Sequence, residues 1–441
     1  MRFVTTRGGA PVSFRTALFD GLAPDGGLYV PASIERWGAD EIAQLPSCSL
    51  SVLGARVLRP FTQEELDEAS LVDVVERALT FPIPLVEIDP GVYALELFHG
   101  PTLAFKDVGA RVMARLMAAL HDGGPPIIVL VATSGDTGSA VAHAFHGVPH
   151  TRVMVLYPDR RVSPTQEAQL TMFNETADET NVRACAIDGT FDDCQRLVKA
   201  AFADVELRRR VRLTSANSIN IGRLLPQMIY YFHAMARAGA TTISTPSGNF
   251  GNLTAGLMAK RAGLPVARFV AATNANDVVP QYLSTGRFEP RASIQTLANA
   301  MDVGNPSNVD RIAWMYGGDV GAMRHDITGS RHDDAEVRAT IRRVYDARGY
   351  LLDPHSAIGY LGLHASVRDP REDRERAPAA GIFLATAHPA KFAEIVEPII
   401  GRPVDKPPRL LEALARPRRI VRMPATLEAL RAGLAKLASV D

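Results

Sequence analysis

One lysine of this chain lies in an apolar segment bounded by turn residues, where its amine could act as a nucleophile. Lys106 follows the sequence Leu-Phe-His-Gly-Pro-Thr-Leu-Ala-Phe at positions 97–105 and precedes Asp107. An ordinary lysine has a pKa of about 10.4, whereas burial among apolar groups disfavours the charged form and leaves a free amine that can react with carbonyl compounds. We therefore predict that Lys106 forms a Schiff base with a bound aldehyde. Most lysines lie on the protein surface, so this role needs support from the rest of the sequence.

A hydroxyl-rich turn follows the next apolar segment. Residues 126–132 have the pattern of a buried strand, and residues 140–145 have the pattern of a helix. Between them the sequence reads Thr-Ser-Gly-Asp-Thr-Gly-Ser at positions 133–139. This pattern predicts a strand, a turn that presents hydroxyl groups, and a helix.

A glycine-containing turn occurs in a second connection of the same kind. A predicted strand at 243–246 leads into Ser-Gly-Asn-Phe-Gly-Asn at 247–252, and residues 257–262 have a helical pattern. Glycines let the backbone approach an anion closely, and the free N–H groups and dipole of a helix start favour a phosphate. Such a turn alone often does no more than connect a strand to a helix. Together with Lys106, it predicts pyridoxal phosphate, with the aldehyde held by the amine and the phosphate by the helix start.

With these motifs, the whole chain resembles the threonine synthases of the longer bacterial and fungal type, which belong to the tryptophan-synthase-like group of pyridoxal phosphate enzymes (fold type II). The resemblance implies an α/β fold with two parallel-sheet lobes covered by helices, a small N-terminal domain, and the cofactor between the lobes. It also implies that the enzyme converts O-phospho-L-homoserine and water to L-threonine and phosphate, by γ-elimination of phosphate and β-addition of water. Six blocks in the same order carry it, at positions 21–31, 96–107, 133–138, 215–223, 246–252 and 386–392.

The resemblance also implies roles for individual residues. The catalytic residue is Lys106, which binds the cofactor and then moves protons at the substrate. The other residues implied to bind the cofactor are Asp136, Gly248, Asn249, Phe250, Gly251, Asn252 and Thr386. The residues implied to bind the substrate, including its phosphate, are Thr133, Ser134, Thr137, Asn217 and Arg223.

Two of these assignments lead to physical expectations. Thr386 matches the threonine whose hydroxyl faces the pyridine nitrogen of the cofactor, although threonine at this place could also cap a helix. A hydroxyl does not fix a proton on that nitrogen as a carboxylate would, which favours elimination and replacement over transamination. An ionised Asp136 would repel the cofactor's 3′-oxygen, so we expect Asp136 either to be protonated or to turn towards a backbone N–H.

Two other functions are compatible with parts of this pattern. A different pyridoxal phosphate lyase, such as a serine or threonine dehydratase, would need no second phosphate site and would tolerate the loss of Arg223. A catalytically idle relative that binds a phosphorylated ligand would have no need for the amine of Lys106. The histidines at positions 99, 143, 146, 355 and 388 lack metal-ligand spacing, and we expect no catalytic metal.

Composition agrees with a globular enzyme of small molecules. The 441 residues are 46% hydrophobic and 22% charged, and Lys plus Arg and Asp plus Glu both number 48, which argues against nucleic acid and membrane partners. The cysteines at 48, 185 and 194 lack metal-ligand spacing and cannot all pair, so we expect buried thiols in a reducing compartment. No signal segment or apolar run of about 18 residues is present, which predicts a cytoplasmic protein, as a monomer or a homodimer.

The chain divides into two predicted regions. Residues 1–92 form an N-terminal domain with short helical pieces at 64–69 and 71–79, and residues 93–441 form the catalytic region of two lobes. Strand-like and helical segments alternate in the catalytic region, which predicts parallel sheets covered by helices. Residues 302–348 are less regular and resemble an insertion, and residues 368–376 form a dense run of charges that we expect to be a solvated loop.

Overall fold

The computed structural model describes residues 1–174, 180–239, 242–367 and 380–438, and every structural statement below concerns these residues. The charged run at 368–376 therefore lies outside the described residues. The strands, in chain order, are β1 (Phe3–Thr5), β2 (Tyr29–Pro31), β3 (Leu85–Asp89), β4 (Val92–Glu96), β5 (Ile127–Ala132), β6 (Thr151–Pro158), β7 (Val182–Asp188), β8 (Arg212–Thr214), β9 (Thr242–Pro246), β10 (Arg268–Thr273), β11 (Ile327–Arg331), β12 (Gly381–Ala385) and β13 (Val421–Pro424).

The helices surround these strands. In chain order they are α1 (Phe14–Asp20), α2 (Ala39–Ala43), α3 (Leu50–Thr62), α4 (Glu68–Ala78), α5 (Lys106–Ala119), α6 (Asp136–Phe145), α7 (Pro164–Thr171), α8 (Phe191–Ala203), α9 (Val205–Arg210), α10 (Ile221–Leu224), α11 (Met228–Ala238), α12 (Gly251–Arg261), α13 (Val278–Thr285), α14 (Val309–Met315), α15 (Val320–Asp326), α16 (Asp334–Arg348), α17 (Pro354–Val367), α18 (Ala393–Ile400), α19 (Pro408–Ala415) and α20 (Leu427–Ala438). Short 3₁₀ helices occupy Leu45–Ser47, Leu225–Gln227, Asn299–Met301 and Pro389–Phe392.

Two large sheets form the lobes that the resemblance implies. One has six strands in the order β11-β10-β9-β12-β4-β3, and the other has five in the order β13-β7-β6-β5-β8. All neighbouring strands in both sheets are parallel except β3 and β4, which are antiparallel. The α/β fold class with parallel sheets is therefore confirmed, with β3 as an antiparallel edge strand.

The central strands β5, β6 and β12 are buried along their whole length because helices cover both faces of the sheets. A strand in a parallel sheet buries both of its faces, so its sequence is a continuous apolar run without alternation. This explains why the segments at 126–132 and 381–385 could be recognised as strands from composition alone.

Some predicted boundaries differ from the structure. The helical piece predicted at 64–69 is wrong, because α3 ends at Thr62 and α4 begins at Glu68. Asp67 caps α4 by accepting a hydrogen bond from the N–H of Ser70, at 2.7 Å. An N-cap side chain satisfies a donor that the first helical turn leaves free, so the acidic residue starts a new helix here.

The predicted division into domains stays a prediction. The strand β3 lies before the predicted boundary at residue 92 but pairs with β4 in the six-stranded sheet. The segment 302–348 contributes β11 to the edge of the same sheet and ends in the helix α16.

Two of the three cysteines have the predicted environment. Cys185 and Cys194 are buried, whereas Cys48 is partly exposed, so the expectation that all three are buried is wrong at Cys48. All three thiols are free. Among the residues that the structure describes, no helix is long and apolar enough to cross a membrane.

Candidate active site

A cavity of about 770 Å³ opens at the carboxyl ends of β5, β9 and β12. Ligands of α/β proteins bind beyond the carboxyl ends of the strands, so this is the expected place for a site. All thirteen predicted site residues line this one cavity, namely Lys106, Thr133, Ser134, Asp136, Thr137, Asn217, Arg223, Gly248, Asn249, Phe250, Gly251, Asn252 and Thr386.

Lys106 is the first residue of α5, and the segment before it is fixed to the end of β12. The N–H of Phe105 donates to the carbonyl oxygen of Thr386 at 2.8 Å, and the N–H of His388 donates to the carbonyl oxygen of Leu103 at 3.0 Å. Within the described part of the chain, the amine of Lys106 has neither a hydrogen-bond partner nor an ion-pair partner. A rigid backbone therefore presents an unpaired amine to the cavity.

The electrostatic surroundings favour the neutral form of this amine more than water does. Burial lowers the pKa of Lys106 to about 8; Asp136 opposes this effect, and Lys391 and Arg223 add to it. A pKa near neutrality leaves a useful fraction of the amine free to act as a nucleophile or a base.

Asp136 is the first residue of α6 and forms a buried ion pair with Lys391. The distance from its Oδ1 to the Nζ of Lys391 is 2.8 Å, and the Lys391 side chain is fully buried. Burial alone would raise the pKa of Asp136, but the charges of Lys391 and Lys106 and the hydrogen bond of Lys391 hold it well below its usual range. The expectation of a protonated Asp136, or of one turned to a backbone N–H, is therefore wrong, because a lysine supplies the counter-charge.

The turn at 247–252 has the free donors that a phosphate requires. The N–H groups of residues 248–252 donate to no other described protein atom, and Phe250, which precedes α12, has a φ of 59°. A left-handed residue other than glycine is uncommon and turns successive N–H groups towards one side.

The side chain of Asn252 supports the turn at 247–252. Its Nδ2 donates to the carbonyl oxygen of Pro246 at 2.9 Å, and its Oδ1 accepts from the hydroxyl of Ser247 at 2.6 Å and from the N–H of Leu253 at 3.0 Å. These hydrogen bonds of Asn252 hold the turn in shape.

Thr386 follows β12 and lines the cavity. Its hydroxyl has no partner among the described residues, and it does not cap a helix. The residue that caps the 3₁₀ helix Pro389–Phe392 is His388, whose Nδ1 accepts from the N–H of Ala390 at 3.1 Å. The alternative role of Thr386 as a helix cap is therefore wrong, and its hydroxyl is available to a ligand.

The turn that starts α6 is organised by Thr133. Its hydroxyl oxygen accepts from the N–H groups of Gly135 and Gly138, at 3.0 and 2.9 Å. The N–H groups and hydroxyls of Ser134 and Thr137 have no partner within the described residues. The start of α6, a helix of ten residues, therefore offers a second set of donors for an anion.

Arg223 is buried against the cavity and only partly satisfied. One Nη donates to the carbonyl oxygen of Ala216 at 2.5 Å, while the buried Nε has no partner among the described residues. Burial lowers the pKa of Arg223 to about 10, and Asp107 opposes this effect. The side chain of Asn217 donates to the carbonyl oxygen of Ala132 at 3.0 Å, which joins the predicted substrate segment 215–223 to the end of β5.

Two residues of the site were not predicted. Lys391 lies inside a recognised block but received no role, because nothing in its local sequence reveals its distant carboxylate partner. His355 lines the cavity, with Nδ1 at 2.6 Å from Oδ2 of Asp353 and Nε2 accepting from the N–H of Ala300 at 3.2 Å. These two contacts assign the proton to Nδ1, and the signal in the sequence is the Asp-Pro-His-Ser turn at 353–356.

Two other histidines lie outside the cavity. His99 and His388 line a separate pocket. Nε2 of His99 lies 2.6 Å from Oε2 of Glu96.

The free groups of the cavity match pyridoxal phosphate. An unpaired amine, an unpaired hydroxyl and a row of free N–H groups at a helix start lie around one space, and they correspond to the aldehyde, the ring nitrogen and the phosphate of that cofactor. The fold and this site define a pyridoxal phosphate-dependent enzyme.

Comparison with known proteins specifies the family. The profile described as "Threonine synthase N terminus" matches residues 2–79, "Pyridoxal-phosphate dependent enzyme" matches 79–378, and "Threonine synthase, C-terminal" matches 356–433. The threonine synthase of Haemophilus influenzae is 46% identical over 396 residues, covering 88% of this chain and 89% of the relative. The chain belongs to the threonine synthase family and is a pyridoxal phosphate-dependent lyase of threonine biosynthesis.

Solved structures agree with this assignment. The threonine synthase of Escherichia coli superimposes with a TM-score of 0.89 at 40% identity and covers 99% of both chains. A threonine synthase from Brucella melitensis, described as bound to PLP, superimposes with a TM-score of 0.92 at 36% identity over 100% of both chains. These relatives extend over the N-terminal region as well as the two lobes.

Proposed function

We propose that this enzyme converts O-phospho-L-homoserine and water to L-threonine and phosphate, with Lys106 as its catalytic residue. The observation that carries the proposal is Arg223, a buried and incompletely paired guanidinium in the same cavity as the unpaired amine of Lys106. A cofactor phosphate has its own donors at 248–252, so Arg223 is left for a second anion.

The proposed substrate carries two anionic groups, a carboxylate and a phosphate. Besides the turn at 247–252, the lining of the cavity includes the start of α6 and the cations Arg160, Arg161 and Arg223. Ser134 and Thr137 would donate N–H and hydroxyl groups at the helix start, and Arg223 would grip the phosphate with its planar fork. Thr133 and Asn217 would hold these donors in place through their own hydrogen bonds.

The proposed role of Lys106 is to hold and move protons at the substrate. When bound, pyridoxal phosphate withdraws electrons from the attached amino acid and so lowers the cost of removing its Cα and Cβ protons. The Nζ of Lys106 would take the proton from Cα and serve as the acid and base at Cβ. Its lowered pKa suits this work, because both forms of the amine are then accessible near neutral pH.

One side chain and a row of backbone N–H groups would keep the cofactor oriented during these steps. The hydroxyl of Thr386 would face the ring nitrogen, and the N–H groups of 248–252 would hold the phosphate. Because a hydroxyl does not fix a proton on that nitrogen, electron withdrawal by the ring is moderate, which favours elimination over transamination.

The experiment is to supply the purified enzyme with O-phospho-L-homoserine and to measure phosphate and L-threonine together. We expect equal amounts of phosphate and L-threonine. We also expect L-serine and L-threonine not to be converted to an oxoacid at a comparable rate. Turnover of L-serine without phosphate release from O-phospho-L-homoserine would instead favour the dehydratase alternative. The cytoplasmic location stays a prediction from the sequence.

A further inference from the structure

Two lysines act on one buried carboxylate, that of Asp136, and only one of them forms an ion pair with it. The Nζ of Lys391 is 2.8 Å from Oδ1 of Asp136 and donates to the carbonyl oxygen of Thr102 at 2.9 Å. Lys106 also acts electrostatically on Asp136 but has no ion pair or hydrogen bond in the described structure. Asp136 is therefore paired with Lys391, which does not line the cavity, and not with Lys106, which does.

We propose that Lys391 is a positioning residue that takes up the charge of Asp136 and thereby leaves the amine of Lys106 neutral and free to react. This inference rests on the role proposed above for Lys106. It assigns a task to a residue that the predicted site did not include.

The physical reason is a competition between two cations for one anion. A buried carboxylate without a partner is costly, so in the absence of Lys391 the nearest remaining cation would become its counter-ion. That cation is Lys106, and an opposite charge within about 4–6 Å raises the pKa of a lysine by roughly 1–3 units. Lys106 would then be held as an ammonium, which is not a nucleophile.

Lys391 is built into the wall in a way that suits this task. Besides Asp136, the ammonium of Lys391 has a second acceptor, the carbonyl oxygen of Thr102. Thr102 is itself fixed by Asp107, whose carboxylate accepts from the N–H of Thr102 at 2.8 Å and from its hydroxyl at 2.7 Å. Gln169 donates to the same carbonyl oxygen at 3.2 Å. The ammonium of Lys391 is therefore held against Asp136 by groups that do not face the cavity.

Other charged groups face the same space and set the background. Arg223 lowers the pKa of Lys106, as Lys391 does, and Asp136 raises it. Asp107 acts on Arg223, and the other titratable or charged groups that line the cavity are His355, Asp302, Asp192, Arg160 and Arg161. None of these other groups forms an ion pair with Asp136 among the described residues, so Lys391 is the group whose charge can be removed to test the competition.

The experiment follows the rate at which the full-length protein, freed of cofactor, captures added pyridoxal phosphate as a function of pH. Absorbance reports the capture, in which the neutral amine adds to the aldehyde and water leaves. For the wild type we expect a midpoint near pH 8. In Lys391→Met the midpoint should rise by about 1 pH unit or more, since Asp136 then pairs with Lys106.

Two further variants separate charge from packing. Asp136→Asn removes the carboxylate and should lower the midpoint below that of the wild type. The double variant Asp136→Asn/Lys391→Met removes both charges and should return the midpoint to within about half a unit of the wild type. If Lys391→Met does not fold, Lys391→Gln gives the same test, because it removes the charge but keeps a donor for the carbonyl oxygen of Thr102.

A midpoint in Lys391→Met that equals the wild-type value would overturn the proposal. So would a double variant that stays shifted as far as Lys391→Met, because a packing defect is not rescued by removing the carboxylate. The readout needs only the cofactor. The proposed function and this inference can therefore fail separately. If the midpoints shift as expected but the enzyme releases no phosphate from O-phospho-L-homoserine, the proposed function is contradicted and this inference is not.

Discussion

The N–H of Phe105 donates to the carbonyl oxygen of Thr386, 281 positions later in the chain, at 2.8 Å. Ala104 and Ala387 form an antiparallel bridge beside this bond. The residues before Lys106 and after β12 thus form one short ladder. The amine of Lys106 and the hydroxyl of Thr386 are therefore held on a common rigid unit, and they face the same cavity.

This relationship predicts that Thr386 can lose its hydroxyl without disturbing Lys106. Thr386→Val keeps the backbone bond and the branched shape, and the hydroxyl it removes has no partner among the described residues. We expect the melting temperature to be unchanged and kcat to fall about tenfold, which corresponds to the loss of one hydrogen bond of about 1.4 kcal/mol. Thr386→Ser should keep most of the activity. A large fall in melting temperature would show that the side chain has a structural role instead.

Replacement of Gly109 by alanine is expected to destabilise the protein, although Gly109 lies in a helix. It lies inside α5, where alanine normally stabilises a helix by about 1 kcal/mol. A Cβ at Gly109 would, however, lie 2.5 Å from the carbonyl oxygen of Arg223, a contact with backbone that has no easy relaxation. Gly109→Ala should therefore lower both the unfolding free energy and kcat/KM, since Arg223 must shift.

The matched control for Gly109 is a glycine in another helix. Gly433 lies inside α20, and a Cβ there would approach the flexible end of the Met423 side chain. Gly433→Ala should leave kcat/KM unchanged. If both alanine variants have wild-type kinetics, the contact between α5 and Arg223 does not position the guanidinium.

The fold could be predicted from the sequence to a large extent, because its signals are local. The buried strands β5 and β12 are continuous apolar runs, and the turns after them carry recognisable polar residues. The helical piece predicted at 64–69 is misplaced because most of it falls on the connection between Thr62, where α3 ends, and the cap of α4 at Asp67.

The sequence predicts which residues line the candidate site, but it does not predict which of their side chains form ion pairs. The thirteen residues line one cavity, yet the state of Asp136 depends on Lys391, which is 255 positions away in the sequence. From the sequence alone, a lysine is expected to be exposed. Only the packing of the chain reveals that the side chain of Lys391 is fully buried. The partners of Asn252 are likewise set by the conformation of the turn.

The proposed second anion site predicts a specific effect of Arg223→Lys. Lysine keeps the positive charge but does not present two parallel N–H donors to a phosphate. Loss of about 1.5–3 kcal/mol of charge-assisted hydrogen bonding should raise KM for O-phospho-L-homoserine by roughly 10- to 100-fold. Cofactor affinity should stay at the wild-type value, because we propose that the cofactor phosphate is held by the N–H groups of 248–252. An unchanged KM would remove Arg223 from the substrate site.

The buried ion pair predicts how stability depends on acid. Lys391 holds the pKa of Asp136 below its usual range, so the pair stabilises the fold above the unfolded-state pKa of about 3.9 and loses this contribution as the pH falls. Asp136→Asn leaves Lys391 buried without its partner and should cost about 3–5 kcal/mol at pH 7. Denaturant unfolding of both proteins should show this difference narrowing below about pH 4. A difference independent of pH would mean that the pair is not ionised.

The most direct test of the account asks which amine holds the cofactor. Reduction of the holoenzyme with borohydride fixes pyridoxal phosphate covalently to that amine, and mass spectrometry of the digested protein identifies the modified lysine. We predict that the label is found on Lys106, which faces the cavity without a partner, and that Lys391 is unmodified. A label on Lys391, or no labelled lysine at all, would contradict the central claim.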